Sequence, residues 1–128
     1  MRNFILCFSV LTSLLWPVAA LSHHSFSLEF DVSRPVELRG TVQNIEWTNP
    51  HAWVFLETED EQGNVQGWAV EFLGVLSLLR SGMGPDTVGP GDLILITGFG
   101  SRDGTNTANA SSLTKVDTGE VLWESRGR

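Results

Sequence analysis

The sequence contains one cysteine and one lysine, and each scarcity excludes a class of function. Cys7 lies close to the amino terminus, so a domain that begins after residue 22 has no thiol for a disulfide, a thiolate metal site or a nucleophile. Eight Lys+Arg stand against fifteen Asp+Glu, which gives a net charge of −7. Because lysine and arginine drive phosphate binding, this balance excludes nucleic acid as a partner. A chain of 128 residues suits one compact domain.

The amino terminus has the pattern of a secretory signal peptide. One positive charge precedes an uncharged, mostly apolar run over residues 4–16, and small residues follow the run. This run is shorter than the roughly 20 residues of a membrane-spanning helix, so we expect no membrane insertion once the segment is removed. Cleavage after Ser22 would release His23 as the first residue, and cleavage after Ala20 is the alternative. We predict a signal peptide at 1–22 and therefore an exported protein.

The hydropathy pattern predicts a mainly β domain at 35–125, preceded by an amino-terminal arm at 23–34 that lies extended. Three alternating strands come first, with a bulge at Asn44 where the apolar phase changes from even to odd positions. Helical spacing follows from Phe72 to Leu79, and further strands come after it. One helix between strands 3 and 4 is typical of the OB fold, so we predict a small OB-like Greek-key barrel. A β-sandwich with one helix is the alternative.

The three histidines are the candidate ligands of a metal site. His23 and His24 lie at the predicted mature amino terminus, and His51 lies in the loop between the first two strands. If the chain begins at His23, its α-amine and ring nitrogen can bind one metal ion, and His51 can complete a T-shaped histidine brace. If it begins two residues earlier, His23 stands third from a free amine, an arrangement that binds Cu(II) or Ni(II). Copper is the cofactor that such nitrogen ligands favour.

The same histidines also have an interpretation without a metal. In that case His23 and His24 belong to a frayed chain end, and His51 lies in a turn beside Pro50.

A second candidate is a ligand pocket that includes the segment 46–53. Two indoles, an amide, an imidazole and a carboxylate occur within this segment, a mixture that is typical of binding sites. The predicted ligand-binding residues are Glu46, Trp47, Asn49 and Trp53, together with Arg102, Asn106 and Asn109 from the loop near 102–109. Trp47 or Trp53 would stack on a flat ligand or a sugar. Alternatively, both tryptophans plug one end of the barrel and Asn49 makes a local turn bond.

Several short motifs together resemble a family of small exported bacterial proteins of unknown function. They are His-His-Ser-Phe at 23–26, Glu-Phe-Asp at 29–31, Gly-Thr-Val at 40–42, Glu-Trp-Thr-Asn-Pro-His-Ala-Trp at 46–53, Pro-Gly-Asp at 90–92 and Asp-Gly-Thr-Asn-Thr-Ala-Asn-Ala at 103–110. The resemblance implies a single domain in the bacterial periplasm or outside the cell, and it favours cleavage before His23. It implies no activity.

The motifs of common enzyme classes are missing from the sequence. It contains neither a G-x-S-x-G nucleophile elbow nor a phosphate-binding loop. We therefore expect a non-enzymatic binding or accessory domain whose partner is a metal ion, a small ligand or an exported protein. The alternatives to copper binding are a structural module that binds a protein partner and a small-molecule or glycan binder that uses Trp47 and Trp53.

Overall fold

The computed structural model describes residues 25–126, which form six strands and two short helices. In chain order these elements are α1 Phe26–Glu29, β1 Phe30–Glu46, β2 Trp53–Glu59, β3 Val65–Glu71, α2 Val75–Arg80, β4 Leu93–Ser101, β5 Thr107–Lys115 and β6 Val121–Glu124. No helix within this range is long and apolar enough to cross a membrane. The predicted signal peptide, His23 and His24 lie outside the described residues.

The strands pair into a closed ring. β1 lies between β2 and β4, β3 pairs with β2, and β5 pairs with β4, all antiparallel. A short parallel pairing between β3 and β5, from Ala69–Thr107 to Glu71–Asn109, closes the ring, while β6 extends the sheet beside β5. The predicted mainly β class is confirmed, and so is the helix between strands 3 and 4. All six strands belong to one sheet, whereas the alternative prediction, a β-sandwich, requires two sheets.

The first strand is long because it pairs with two neighbouring strands along its length. It pairs with β4 through its first part and with β2 through its second part. Its register on β2 shifts between Val42 and Asn44, which leaves Gln43 as the extra residue. The predicted bulge is therefore confirmed, and it allows β1 to bend as it passes from one neighbour to the other.

The apolar side chains inside the ring form the core. Each strand of the ring contributes residues with little or no exposed surface: Leu38, Val42, Val54, Leu56, Val70, Ile94, Ile96, Ala108 and Leu113. At one end Phe72 packs against Trp123 of β6, with the ring centroids 5.1 Å apart. Removing these side chains from water is the main stabilising contribution to the fold.

The helix between strands 3 and 4 is shorter than the predicted spacing from Phe72 to Leu79. The Phe72 N–H donates to the Ala52 carbonyl at 2.8 Å, which continues the strand pairing, so the helix begins only at Val75. Leu78 is its buried residue, whereas Leu79 is half-exposed. The apolar stripe assigned from spacing therefore does not coincide with the buried face.

The amino-terminal arm is extended only in part. Residues 26–29 form one helical turn, whereas residues 30–34 are extended, as predicted, and belong to β1. Phe26 and Phe30 stand four residues apart, so a helical turn brings their rings together, with centroids separated by 5.5 Å. Phe26 also meets Phe99 of β4 edge-on at 6.1 Å. These aromatic contacts explain why the turn forms against the sheet.

Candidate functional site

His51 has one ring nitrogen fixed by the fold. Its Nδ1 lies 3.0 Å from the carbonyl oxygen of Phe72. Because a carbonyl oxygen only accepts hydrogen bonds, Nδ1 is the donor in this contact, and in a neutral imidazole Nε2 is then the nitrogen with the lone pair. The side chain is 45% exposed. His51 therefore offers Nε2 as an acceptor or metal ligand while the backbone holds the other side of the ring.

Next to His51 lies a buried carboxyl group that is not among the predicted site residues. Glu71, the last residue of β3, is only 8% exposed. Its Oε1 accepts a hydrogen bond from Asn109 Nδ2 at 2.9 Å and lies 3.5 Å from His51 Nδ1. The closure of the ring thus brings together residues from a loop, β3 and β5, here called the His51–Glu71–Asn109 cluster.

The sequence pattern wrongly predicts that Glu71 is exposed. Apolar residues alternate at Trp68, Val70 and Phe72, so Glu71 is assigned to the outer face of the third strand, which normally faces solvent. The β3–β5 pairing places it directly beside Asn109, which is itself only 4% exposed. That pairing joins residues far apart in the chain, so local hydropathy could not reveal it.

Arg102 attaches the arm to the hairpin between β4 and β5. Its backbone N–H donates to the Glu29 carbonyl at 2.9 Å, and its side-chain Nε donates to the Ser27 carbonyl at 2.7 Å. One terminal nitrogen also lies 3.8 Å from a carboxylate oxygen of Asp31. Arg102 was predicted as a ligand-binding residue, and the contacts that the structure gives it hold the arm in place.

The two tryptophans of segment 46–53 have different surroundings. Trp47 is half-buried and packs against the core. Trp53 lines a cleft of about 360 Å³ between the arm and the β4–β5 hairpin. The cleft is lined by Leu28, Glu29, Phe30, Trp53, Ser101, Arg102, Asp103, Thr105 and Thr107. The pocket-wall interpretation thus suits Trp53, and the packing interpretation suits Trp47.

The remaining predicted residues have separate positions. Asn49 Oδ1 accepts the Val75 N–H at 3.1 Å, which supplies a partner to the first turn of α2. The Asn106 carbonyl accepts the Ala69 N–H at 3.0 Å near the hairpin tip. Glu46 is exposed at the end of β1. Of the seven predicted ligand-binding residues, Asn109 alone belongs to the His51–Glu71–Asn109 cluster.

A metal site made only of described side chains is not present. Among residues 25–126, no group of three or more His, Cys, Asp or Glu side chains is arranged to hold a metal ion. A site that combines His51 with two further His, Cys, Asp or Glu ligands therefore needs at least one of them from outside this range, and His23 and His24 are the remaining histidines of the sequence.

Comparison with known families gives a match over most of the chain. The family of unknown function DUF6152 matches residues 11–110, which is most of the chain. The chain belongs to this family. The DUF6152 match includes all three residues of the His51–Glu71–Asn109 cluster and also Arg102. No curated protein matches the chain.

The β4–β5 hairpin that holds the arm is organised around Asp103. Its carboxylate accepts hydrogen bonds from the Ser101 hydroxyl, from the Thr105 N–H at 3.0 Å and from the Thr105 hydroxyl at 2.7 Å. These donors, with the Ser101 hydroxyl foremost, lower the pKa of Asp103 from its ordinary value of 3.8 to about 2. Ionised Asp103 therefore fixes the hairpin next to Arg102.

Replacing Asp103 with asparagine is expected to destabilise the protein in a pH-dependent way. A carboxyl whose pKa is lower in the folded than in the unfolded state stabilises the fold at pH values above its unfolded pKa. For Asp103 this contribution disappears as the pH falls from 3.8 through about 2. Chemical denaturation at pH 7 should therefore give a smaller free energy of unfolding for Asp103→Asn, and the difference from the wild type should shrink below pH 4. Asp86→Asn, at an exposed position, is the control. An effect of equal size at pH 7 and pH 2 would contradict this origin.

Proposed function

We propose that this protein is an exported, non-enzymatic binding or accessory domain that binds copper through the α-amine and imidazole of His23 and through His51 Nε2, with His24 as an additional candidate ligand. Removal of residues 1–22 creates the required free amine. Export to the bacterial periplasm or beyond the cell is part of the proposal.

The observation that carries the proposal is the hydrogen bond between His51 Nδ1 and the Phe72 carbonyl at 3.0 Å. Metal-binding histidines usually donate their second ring N–H to a carbonyl or a carboxylate, which fixes the tautomer and the direction of the ring. His51 has this arrangement in full. Its Nε2 is the free nitrogen, and the side chain is accessible enough for an ion to approach.

The attachment of the arm supports a contribution from the amino terminus. Phe26 packs on Phe99, which pairs directly with Asn109, and Asn109 donates to Glu71 beside His51. His23 precedes Phe26 by three residues, a length of chain that reaches about 10 Å. The described part of the arm is therefore attached to the strand that pairs with Asn109.

The chemistry of the ligands favours copper. An amine and imidazoles are nitrogen donors of the kind that Cu(II) prefers in tetragonal geometry, and the domain that starts at His23 has no thiolate to select another metal. The negative net charge of the chain also attracts cations.

Replacing His51 with alanine tests the proposal. Protein that begins at His23 should bind one equivalent of Cu(II), and His51→Ala should weaken binding by at least about 100-fold, because a direct ligand contributes more than its outer partners. Isothermal titration with a competing chelator measures the affinity. Gln66→Ala, at an exposed position on β3, should bind like the wild type. Unchanged affinity in folded His51→Ala would contradict the proposal.

A specific observation also favours a second candidate function, the binding of a small molecule. Trp53 lines the 360 Å³ cleft, and a half-buried indole is a suitable surface on which a flat ligand or a sugar ring can stack. Trp47 packs against the core, so it is a weaker candidate for the same role. In this function the arm and the β4–β5 hairpin form the walls of the site, and His51 is dispensable.

A further inference from the structure

Glu71 is an acidic side chain in a buried position. Its Oε1 accepts a hydrogen bond from Asn109 Nδ2 at 2.9 Å. A glutamine at position 71 would fill the same space and accept the same bond. Glutamic acid and glutamine at this position therefore differ in the charge that the side chain can carry and not in packing.

The carboxyl group of Glu71 lies on the Nδ1 side of the His51 ring. The Nδ1–H of His51 faces two oxygen atoms, the Phe72 carbonyl at 3.0 Å and Glu71 Oε1 at 3.5 Å. Asn109 Nδ2 donates to this same Oε1 at 2.9 Å, which fixes the orientation of the carboxylate. The two oxygens and the amide together form a rigid support on one side of the imidazole.

We propose that Glu71, held by Asn109, is a positioning residue that prepares His51 to bind a metal ion. The negative carboxylate keeps the proton on Nδ1 and strengthens Nε2 as a donor, because electron density on the ring increases when its N–H faces an anion. This inference rests on the proposed copper function and extends it from the ligands to their support.

The size of the effect follows from the behaviour of such outer partners. A carboxylate behind a metal-bound histidine orients the ligand and raises its basicity, and its loss typically lowers metal affinity by about 10–100-fold. We expect Glu71→Gln to change metal affinity more than the stability of the fold, since a neutral glutamine keeps the hydrogen bond from Asn109 and the volume of the side chain. A purely structural residue would instead affect the stability of the fold and leave metal affinity unchanged.

The test compares Glu71→Gln with Glu57→Gln, a matched change at an exposed carboxylate on β2. Each protein begins at His23 and is titrated with Cu(II) against a chelator. Nitrogen-15 NMR of the metal-free proteins reports which ring nitrogen of His51 carries the proton. We expect Glu71→Gln to lower copper affinity by about 10–100-fold and to increase the fraction of the Nε2–H tautomer. Glu57→Gln should match the wild type in both measurements.

The outcomes separate this inference from the proposed function. Wild-type affinity and tautomer in folded Glu71→Gln, while His51→Ala loses copper, overturn the positioning role alone. If His51→Ala also keeps its affinity, the copper function fails as well. If Glu71→Gln does not fold, Asn109→Ser decides, because it keeps the carboxylate but removes the amide that orients it. Reduced affinity in that variant supports the role, and wild-type affinity overturns it.

Discussion

Protein that begins at Ser25 and lacks His23 and His24 is expected to bind Cu(II) at least about 1,000-fold more weakly than protein that begins at His23. The truncation removes the proposed amine and imidazole of His23, and two lost ligands should cost more than the 10–100-fold of an outer partner. His51 then remains as the single histidine. Competition titration measures the affinity, and electron paramagnetic resonance reports the loss of nitrogen ligands.

Two comparisons make this result interpretable. Ser25→Ala in protein that begins at His23 keeps both histidines and should bind like the wild type. Thermal unfolding of the truncated protein should remain cooperative, because the aromatic contacts of Phe26 and the bonds from Arg102 begin after the removed residues. Tight copper binding by the truncated protein would exclude the amino terminus from the site.

Replacing Gly98 with alanine is expected to lower the free energy of unfolding by about 3 kcal/mol or more. A Cβ atom at this position would lie 2.1 Å from the Asn109 carbonyl oxygen and 3.2 Å from the Ala110 Cα. Both are backbone atoms of β5 and cannot move aside without disturbing the pairing of β4 with β5, whose register shifts at Gly98. Because domains are stable by about 5–15 kcal/mol, this loss is a large fraction of the total.

Gly67→Ala is the matched control for this prediction. Gly67 also lies in a strand, but a Cβ atom there would meet no atom within 4 Å. Its stability should stay equal to that of the wild type or rise slightly, since alanine restricts the unfolded chain. Urea denaturation of the three proteins gives the comparison. Equal midpoints for Gly98→Ala and the wild type would contradict the close approach of β4 and β5.

Local patterns were sufficient to predict most of the strands. Alternating residues identify one face of a strand wherever the other face is exposed, and the phase change at Asn44 marks the bulge because one extra residue reverses the alternation. The helix was predicted in the right interval, but its buried residue was not. A helix of only six residues is governed by its attachments, among them the bond from Asn49, more than by its own periodicity.

The candidate site was predictable in part. His51 was identified from its residue type and its place in a loop, while the carbonyl that fixes its tautomer belongs to Phe72, 21 residues further along. Glu71 and Asn109 meet across 38 residues, and Arg102 reaches Ser27 across 75. Contacts between residues so far apart in the chain form only when the ring of strands closes. A short stretch of sequence therefore does not reveal them.

The length of β1 has a geometric consequence for the molecule. This strand of seventeen residues starts next to the arm and ends at the loop that carries His51, yet Phe30 and Trp53 line the same cleft. The bent strand therefore curves around the ring and returns near its own starting point. An insertion in the middle of β1 would displace the arm relative to the His51 loop, although it would lie far from both. The distance between the two ends is thus set by the number of residues in β1.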